Sequence, residues 1–397
     1  MNELPTRFTR LWITRCLTGV LCALLAACAH RPPEPAENVT DLLHDDFYAQ
    51  PLEPVDPQSV FAFSPEMRRF AEHELSTASK LRDPRAALLE TLSKPEKLRL
   101  VYDASRTRNA AQAFEARAGN CLSLVIMTAA FARHLGVGVS FQSVPYEESY
   151  TRSGDLLFAS MHVNLVLRVL TQRIIFTAPE PDDLTVDFLP AAELRGKRAE
   201  LLQEQTVMAM YFNNRAAELL ADGDSQAAYR HAREALHQDP RYQPAINTLA
   251  VIYMRGGHAQ AAEAALRHVL ARQPASTGAL SNLVLLLQRS GRADEAAVVA
   301  AQLAKIQPEA PFQSYELGRR AMDRGEYARA RELFARELQR QPYQSEVHFW
   351  AAMADARLGD SRGAAKHLQQ AEENSVTLDA RMLYAGKLAR LRELHLQ

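Results

Sequence analysis

Beyond residue 28 the 397-residue chain holds a single cysteine, Cys121, followed in order by His162 and Asp187. A thiol attacks a carbonyl as its thiolate. It therefore needs a base to take its proton, and that base needs a carboxylate or amide to fix its tautomer. Cys121, His162 and Asp187 are candidates for nucleophile, base and orienting acid, and Asp183 and Asp182 lie close enough to Asp187 to substitute for it. No His/Cys cluster has the spacing of metal ligands, so neither a metal nor a cofactor is expected.

The surrounding elements must position these three groups. Residues 121–135 (CLSLVIMTAAFARHL) are apolar on nearly every side, which predicts a buried helix ended by Gly136. Asn120 is placed to cap that helix, and Gly119 permits a tight entry. A thiol in the first turn meets the positive end of the helix dipole, which favours its ionised form. Upstream, Ser64-Pro65-Glu66 and Asp83-Pro84 have the pattern of a cap followed by proline at the first helical position. Downstream, residues 138–144, 161–170, 172–177 and 184–189 read as strands. A buried helix followed by an antiparallel sheet is an α+β plan.

Chain order Cys, His, Asp on helix, strand and strand is similar to that of the papain-like and transglutaminase-like superfamily. RAGNC (117–121) with LGVGVSF (135–141) resembles the R-x-G-x-C segment of bacterial transglutaminase-like domains. MHVN (161–164) resembles that family's histidine strand, and TVDF (185–188) its V-D element. The resemblance implies Cys121 as nucleophile, His162 as base and Asp187 as orienting acid. The chain departs from the family in having Val163-Asn164 where an aromatic residue usually follows the histidine, and in a longer His-to-Asp interval.

The second half is periodic. Pro240, Pro274, Pro308 and Pro342 recur every 34 residues, as do Gly223, Gly257, Gly291, Gly325 and Gly359, and Ala228, Ala262, Ala296, Ala330 and Ala364. This period and pattern resemble the tetratricopeptide repeat. Leu249, Leu283 and Leu317 are expected on the buried face of each first helix, with Gly318, Ala216 and Ala250 allowing close approach. Val376 stands where a fifth proline would fall. Five repeats are placed at 205–378, with a terminal helix at 379–397 to cap the stack. Such arrays bind protein or peptide partners in a concave groove, for which Asn213, Asn247, Arg255, Arg289, Tyr315 and Arg319 are the candidate lining residues.

Residues 1–27 read as an export signal, with Arg7, Arg10 and Arg15 ahead of an apolar run too short to span a bilayer. Leu25-Ala26-Ala27-Cys28 resembles the bacterial lipobox, which implies cleavage before Cys28 and its lipidation. Ala29 in place of aspartate favours the outer membrane, facing the periplasm, over the inner membrane or the cell surface. A Pro-rich tether is expected at 28–45 and the catalytic-type domain at 46–200. A net charge of -1 gives no support to nucleic-acid binding.

The fold expected is thus an α+β papain/transglutaminase-like domain followed by an all-α tetratricopeptide-repeat solenoid. The function expected is that of a membrane-anchored thiol hydrolase of peptidase or amidase type. A non-catalytic adaptor and a protein-glutamine acyltransferase are the alternatives.

Overall fold

The computed structural model describes residues 38–75, 83–93, 98, 100–103, 105–153, 156–168, 183–188, 199–307, 312–340, 342–375 and 378–395. The lipidation candidate Cys28, the strand expected at 172–177, and Asp182, Pro308 and Val376 lie outside these residues.

The α+β part begins with helices α1 (Pro65–Phe70) and α2 (Pro84–Ser93). The Ser64 hydroxyl accepts from the Met67 N–H and so caps α1, with Pro65 at the first helical position. Strand β1 (Val101–Tyr102), helix α3 (Ala110–Ala116) and strand β2 (Ala118–Gly119) then lead into helix α4 (Cys121–His134). Parallel pairing of β1 with β2 fixes where α4 starts. Every residue of α4 from Leu122 to Ala132 is buried, as expected of a helix apolar all round. Gly136, at φ +70°, turns the chain out of α4.

Strands β3 (Gly138–Ser153), β4 (Leu156–Arg168), β5 (Leu184–Val186) and β6 (Glu200–Leu202) form an antiparallel sheet in the order β5-β4-β3-β6. Strands β3 and β4 run well past the expected 138–144 and beyond the start of 161–170, while β5 is shorter than the expected 184–189. Three residues are too few to show a hydrophobic period, which is why β6 gives no signal in the sequence.

The helical part is five antiparallel pairs: α5 (Glu204–Ala221) with α6 (Ser225–Gln238), α7 (Gln243–Arg255) with α8 (Ala259–Arg272), α9 (Thr277–Arg289) with α10 (Ala293–Ile306), α11 (Gln313–Asp323) with α12 (Tyr327–Arg340), and α13 (Ser345–Arg357) with α14 (Ser361–Glu373). Helix α15 (Leu378–His395) follows. The glycine in each intra-pair turn has positive φ, from +74° to +89°, which explains the glycine period. The five periodic alanines are all buried. At Gly318 a Cβ would lie 2.6 Å from the Phe334 ring, so only glycine lets α11 and α12 approach this closely.

Two expectations are corrected here. Leu249 and Leu283 are buried, but Leu317 is 43% exposed. Among the described residues the packing breaks between the third and fourth pairs, where one hydrophobic cluster ends near Ala296 and another starts at Phe312. Exposed Val298 and Ile306 lie on α10, beside that break. The second correction concerns residues 38–45, which are packed chain rather than tether. Leu42 is buried against the repeats, its carbonyl accepts from the Tyr253 hydroxyl at 2.7 Å, and that hydroxyl accepts from the His44 N–H at 3.1 Å. Beyond them, Phe47 stacks on His258 and Tyr48 on Tyr229. Aromatic and leucine side chains too sparse to show a period still bury an apolar face on a ready-made surface. One continuous hydrophobic cluster therefore joins this strap, the α+β part and the first three helix pairs.

Candidate active site

Cys121 occupies the first turn of α4 and is partly exposed. The Asn120 side chain caps the helix, its Oδ1 accepting from the Ser123 N–H at 2.9 Å and the Ser123 hydroxyl at 2.8 Å. Its Nδ2 donates to the Thr107 hydroxyl at 2.9 Å, and the Arg108 N–H donates to Ser123 Oγ. Asn120 is therefore locked on both sides of its amide. Gly119 is required at this entry, since a Cβ there would sit 2.6 Å from Ser123 Cβ.

The support reaches into the repeats. The Thr107 N–H donates at 2.6 Å to Glu218 of α5, and Arg106 pairs with Asp222 just beyond that helix. Burial, only partly offset by Thr107 and Arg215, raises the Glu218 carboxyl above its usual range.

His162 lies on β4, buried to 4% exposure. Its Nε2 meets Asp187 at 2.8 Å from both carboxylate oxygens. The Cys121 thiol lies within electrostatic reach of the ring, while the buried Nδ1 is left without a completed hydrogen bond. Catalytic hydrogen bonds are commonly loose before substrate binds. Burial alone would push the imidazole pKa down. The hydrogen bond to Asp187 and then the Cys121 sulfur outweigh that and raise it to about 9.

The structure thus brings Cys121, His162 and Asp187 together and separates Asp183 from them. Asp183 lies across from Arg168 and pairs with it at 3.1 Å. Asp187 reaches His162 through sheet register. Leu165, Val166 and Leu167 pair with Val186, Thr185 and Leu184, so the next residue out, Asp187, falls opposite Asn164. Asn164 shares the His162 face of β4, two residues on. Its Nδ2 donates to Asp187 Oδ2 at 3.2 Å. Buried Gln142 faces Asn164 from β3, so three polar residues from three strands form one row. Sequence reasoning missed Asn164 and Gln142. The available signal was the two-residue spacing of His162 and Asn164 within an otherwise apolar strand.

The proposed groove residues divide. Tyr315 and Asn213 are buried, and the Tyr315 hydroxyl donates to Glu346 at 2.6 Å, so both belong to the array's interior. Arg255 donates to the Leu220 carbonyl and so satisfies the end of α5. Asn247 accepts from Asn282 of the next pair. Arg319 covers the Trp350 ring at 3.6 Å and donates to Tyr315 Oη. Arg289 is exposed. Long polar side chains at helix–helix seams find partners inside the stack, which is why periodicity alone overstates their availability.

Among the described residues no group of three His, Cys, Asp or Glu is arranged to hold a metal, and no helix is long and apolar enough to cross a membrane.

Residues 219–275 match the family model described as tetratricopeptide repeat. No curated protein matches the chain. Among solved structures it is similar to the pilF protein of Pseudomonas aeruginosa at 20% identity, covering 48% of this chain and 87% of that one, with a TM-score of 0.28. It is similar also to a thermophilic TPR protein of Thermus thermophilus, at 21% identity over 46% of this chain and 99% of that one, with a TM-score of 0.29. The MamA protein matches at 20% identity over 44% and 93%, with a TM-score of 0.25. The match over 219–275 supports tetratricopeptide repeats in the helical part, a repeat type that generally mediates binding to protein partners.

Proposed function

We propose that this chain is a thiol hydrolase of peptidase or amidase type, built on a papain/transglutaminase-like domain and anchored to the outer membrane through a lipidated Cys28. The repeats bring a protein substrate or partner to it. One observation carries the reading: a buried histidine has one ring nitrogen fixed by a carboxylate while its ring lies within reach of the only thiol beyond residue 28.

In this mechanism the Cys121 proton moves to His162 Nδ1, and the sulfur attacks an amide carbonyl to give a tetrahedral intermediate. In this reading the Cys121 backbone N–H, at the positive end of α4, contributes to stabilising the oxyanion. The carbon–nitrogen bond breaks as the imidazolium returns its proton to the leaving amine. A water, deprotonated by the same nitrogen, then attacks the thioester, releasing the carboxylic acid and restoring the thiol. Asp187 holds the ring throughout by accepting from Nε2.

The test is alkylation of Cys121 by iodoacetamide in residues 30–397, where it is the only cysteine. Assistance by His162 predicts a reaction that persists at pH 6, where an unassisted thiol is slow, and falls at least tenfold in His162→Ala. Equal rates in the two proteins would sink the hydrolase reading. The non-catalytic adaptor, in which the repeats alone do the work, would then stand. If thioester formation is found, product analysis with and without added amine separates hydrolysis from acyl transfer.

A further inference from the structure

We infer that Asn164 is a positioning residue of this site: its side-chain amide holds the Asp187 carboxylate across the β4–β5 edge so that His162 presents Nδ1 to Cys121. The inference rests on the hydrolase reading and extends it.

Register supplies the first argument. Continuing the β4–β5 pairing by one residue places Asp187 directly across from Asn164, while His162 lies two residues along the same face. Asp187 is therefore a diagonal neighbour of His162 and a direct neighbour of Asn164. Strand β5 ends at Val186, so Asp187 is the first residue beyond it. A side-chain donor on the same face of β4 is in place to hold the carboxylate. The Asn164 contact of 3.2 Å to Oδ2 supplies one, and since an ionised carboxylate only accepts, the amide must present Nδ2 to it.

Cost supplies the second. Asn164 is 4% exposed, and its Oδ1 is buried without a hydrogen-bond partner. An orphaned buried amide oxygen is destabilising, and the neighbouring positions Val163, Leu165, Val166 and Leu167 are all apolar. An apolar residue at 164 would avoid that penalty. What it would lose is the donor to Asp187.

Without that donor, Asp187, whose side chain is already 14% exposed, can turn toward water. The imidazole would then keep its burial penalty and lose the partner that offsets it, so its titration midpoint must fall. This is a readout that a merely structural asparagine would not move.

The test uses residues 30–397 carrying Asn164→Leu, Asn164→Asp or Asn164→Gln. His162 titration is followed by NMR of the ring protons, assigned by difference with His162→Gln, alongside Cys121 alkylation at pH 6. Asn164→Leu is expected to lower the His162 midpoint by at least one pH unit and the alkylation rate about tenfold. Asn164→Gln, which keeps an amide, is expected to recover at least part of both. Asn164→Asp tests the donor without changing side-chain volume and is expected to lose alkylation as Asn164→Leu does. An unchanged or raised midpoint in Asn164→Leu, with a wild-type rate that still depends on His162, overturns the role of Asn164 and leaves the hydrolase reading standing. A wild-type rate independent of His162 overturns both. Should Asn164→Leu fail to fold, the alkylation rate of Asn164→Asp decides the matter, a wild-type rate overturning the role of Asn164; its midpoint is not read, because the added carboxylate raises it by itself.

Discussion

At the residue scale, His162 is pulled two ways: burial disfavours its charge, while Asp187 and then the Cys121 sulfur favour it strongly enough to raise its pKa to about 9. A raised folded-state value means that the folded chain binds the proton more tightly than the unfolded chain. The stability this contributes is fully present below the unfolded value near 6.5 and is lost as pH rises through about 9. The slope of unfolding free energy against pH between these limits should therefore flatten in His162→Gln. Denaturant titrations at pH 6, 7.5 and 9 measure it, and an identical slope in the two proteins would contradict the pairing. Cys121, its cap Asn120 and the His162 strand were all legible in the sequence, because helix caps and buried helices have local signatures. Asn164 was not, because its role comes from a strand register that no short window of sequence contains.

At the element scale, two sites test the packing. Gly318→Ala forces a methyl group into the Phe334 ring and should cost about 1–3 kcal/mol, read as a lowered unfolding midpoint for the last repeats. The fifth helix pair carries a second pH signal. His348 Nε2 donates to the Pro342 carbonyl, so its Nδ1 must accept from His367 Nδ1 at 3.0 Å. Burial, then the neighbouring His348 and Lys366, lower the His367 pKa to about 4. A depressed histidine gives stability that is present above its unfolded value near 6.5 and lost as pH falls toward 4. Acidification over that window should increase hydrogen exchange in α13 and α14 first, and His367→Gln should reduce that pH dependence, the remainder coming from His348, whose own pKa burial lowers. The helix pairs themselves were readable from a 34-residue period with glycine, alanine and proline at fixed places. The break after the third pair was not, since Leu317 keeps its periodic position whether it is covered or exposed.

At the scale of the whole molecule, the first three helix pairs and the α+β part share one hydrophobic cluster, so these should unfold together. Tyr253 joins the strap to that cluster through two hydrogen bonds on one hydroxyl. Tyr253→Phe should cost about 1–3 kcal/mol and lower the unfolding midpoint of the α+β part along with the repeats. Two separate transitions, with only the repeats shifted, would contradict a shared core. The boundary expected near residue 45 failed because residues 38–45 depend on partners some 210 positions away, which local composition cannot reveal. That strap also limits where the molecule can stand. If Cys28 carries acyl chains, the ten residues from it to Asn38 reach at most about 35 Å when fully extended. The protein would then work on a short leash whose fixed end lies against the second repeat. Its reach would extend to substrates near the membrane surface and fall short of those deeper in the surrounding compartment.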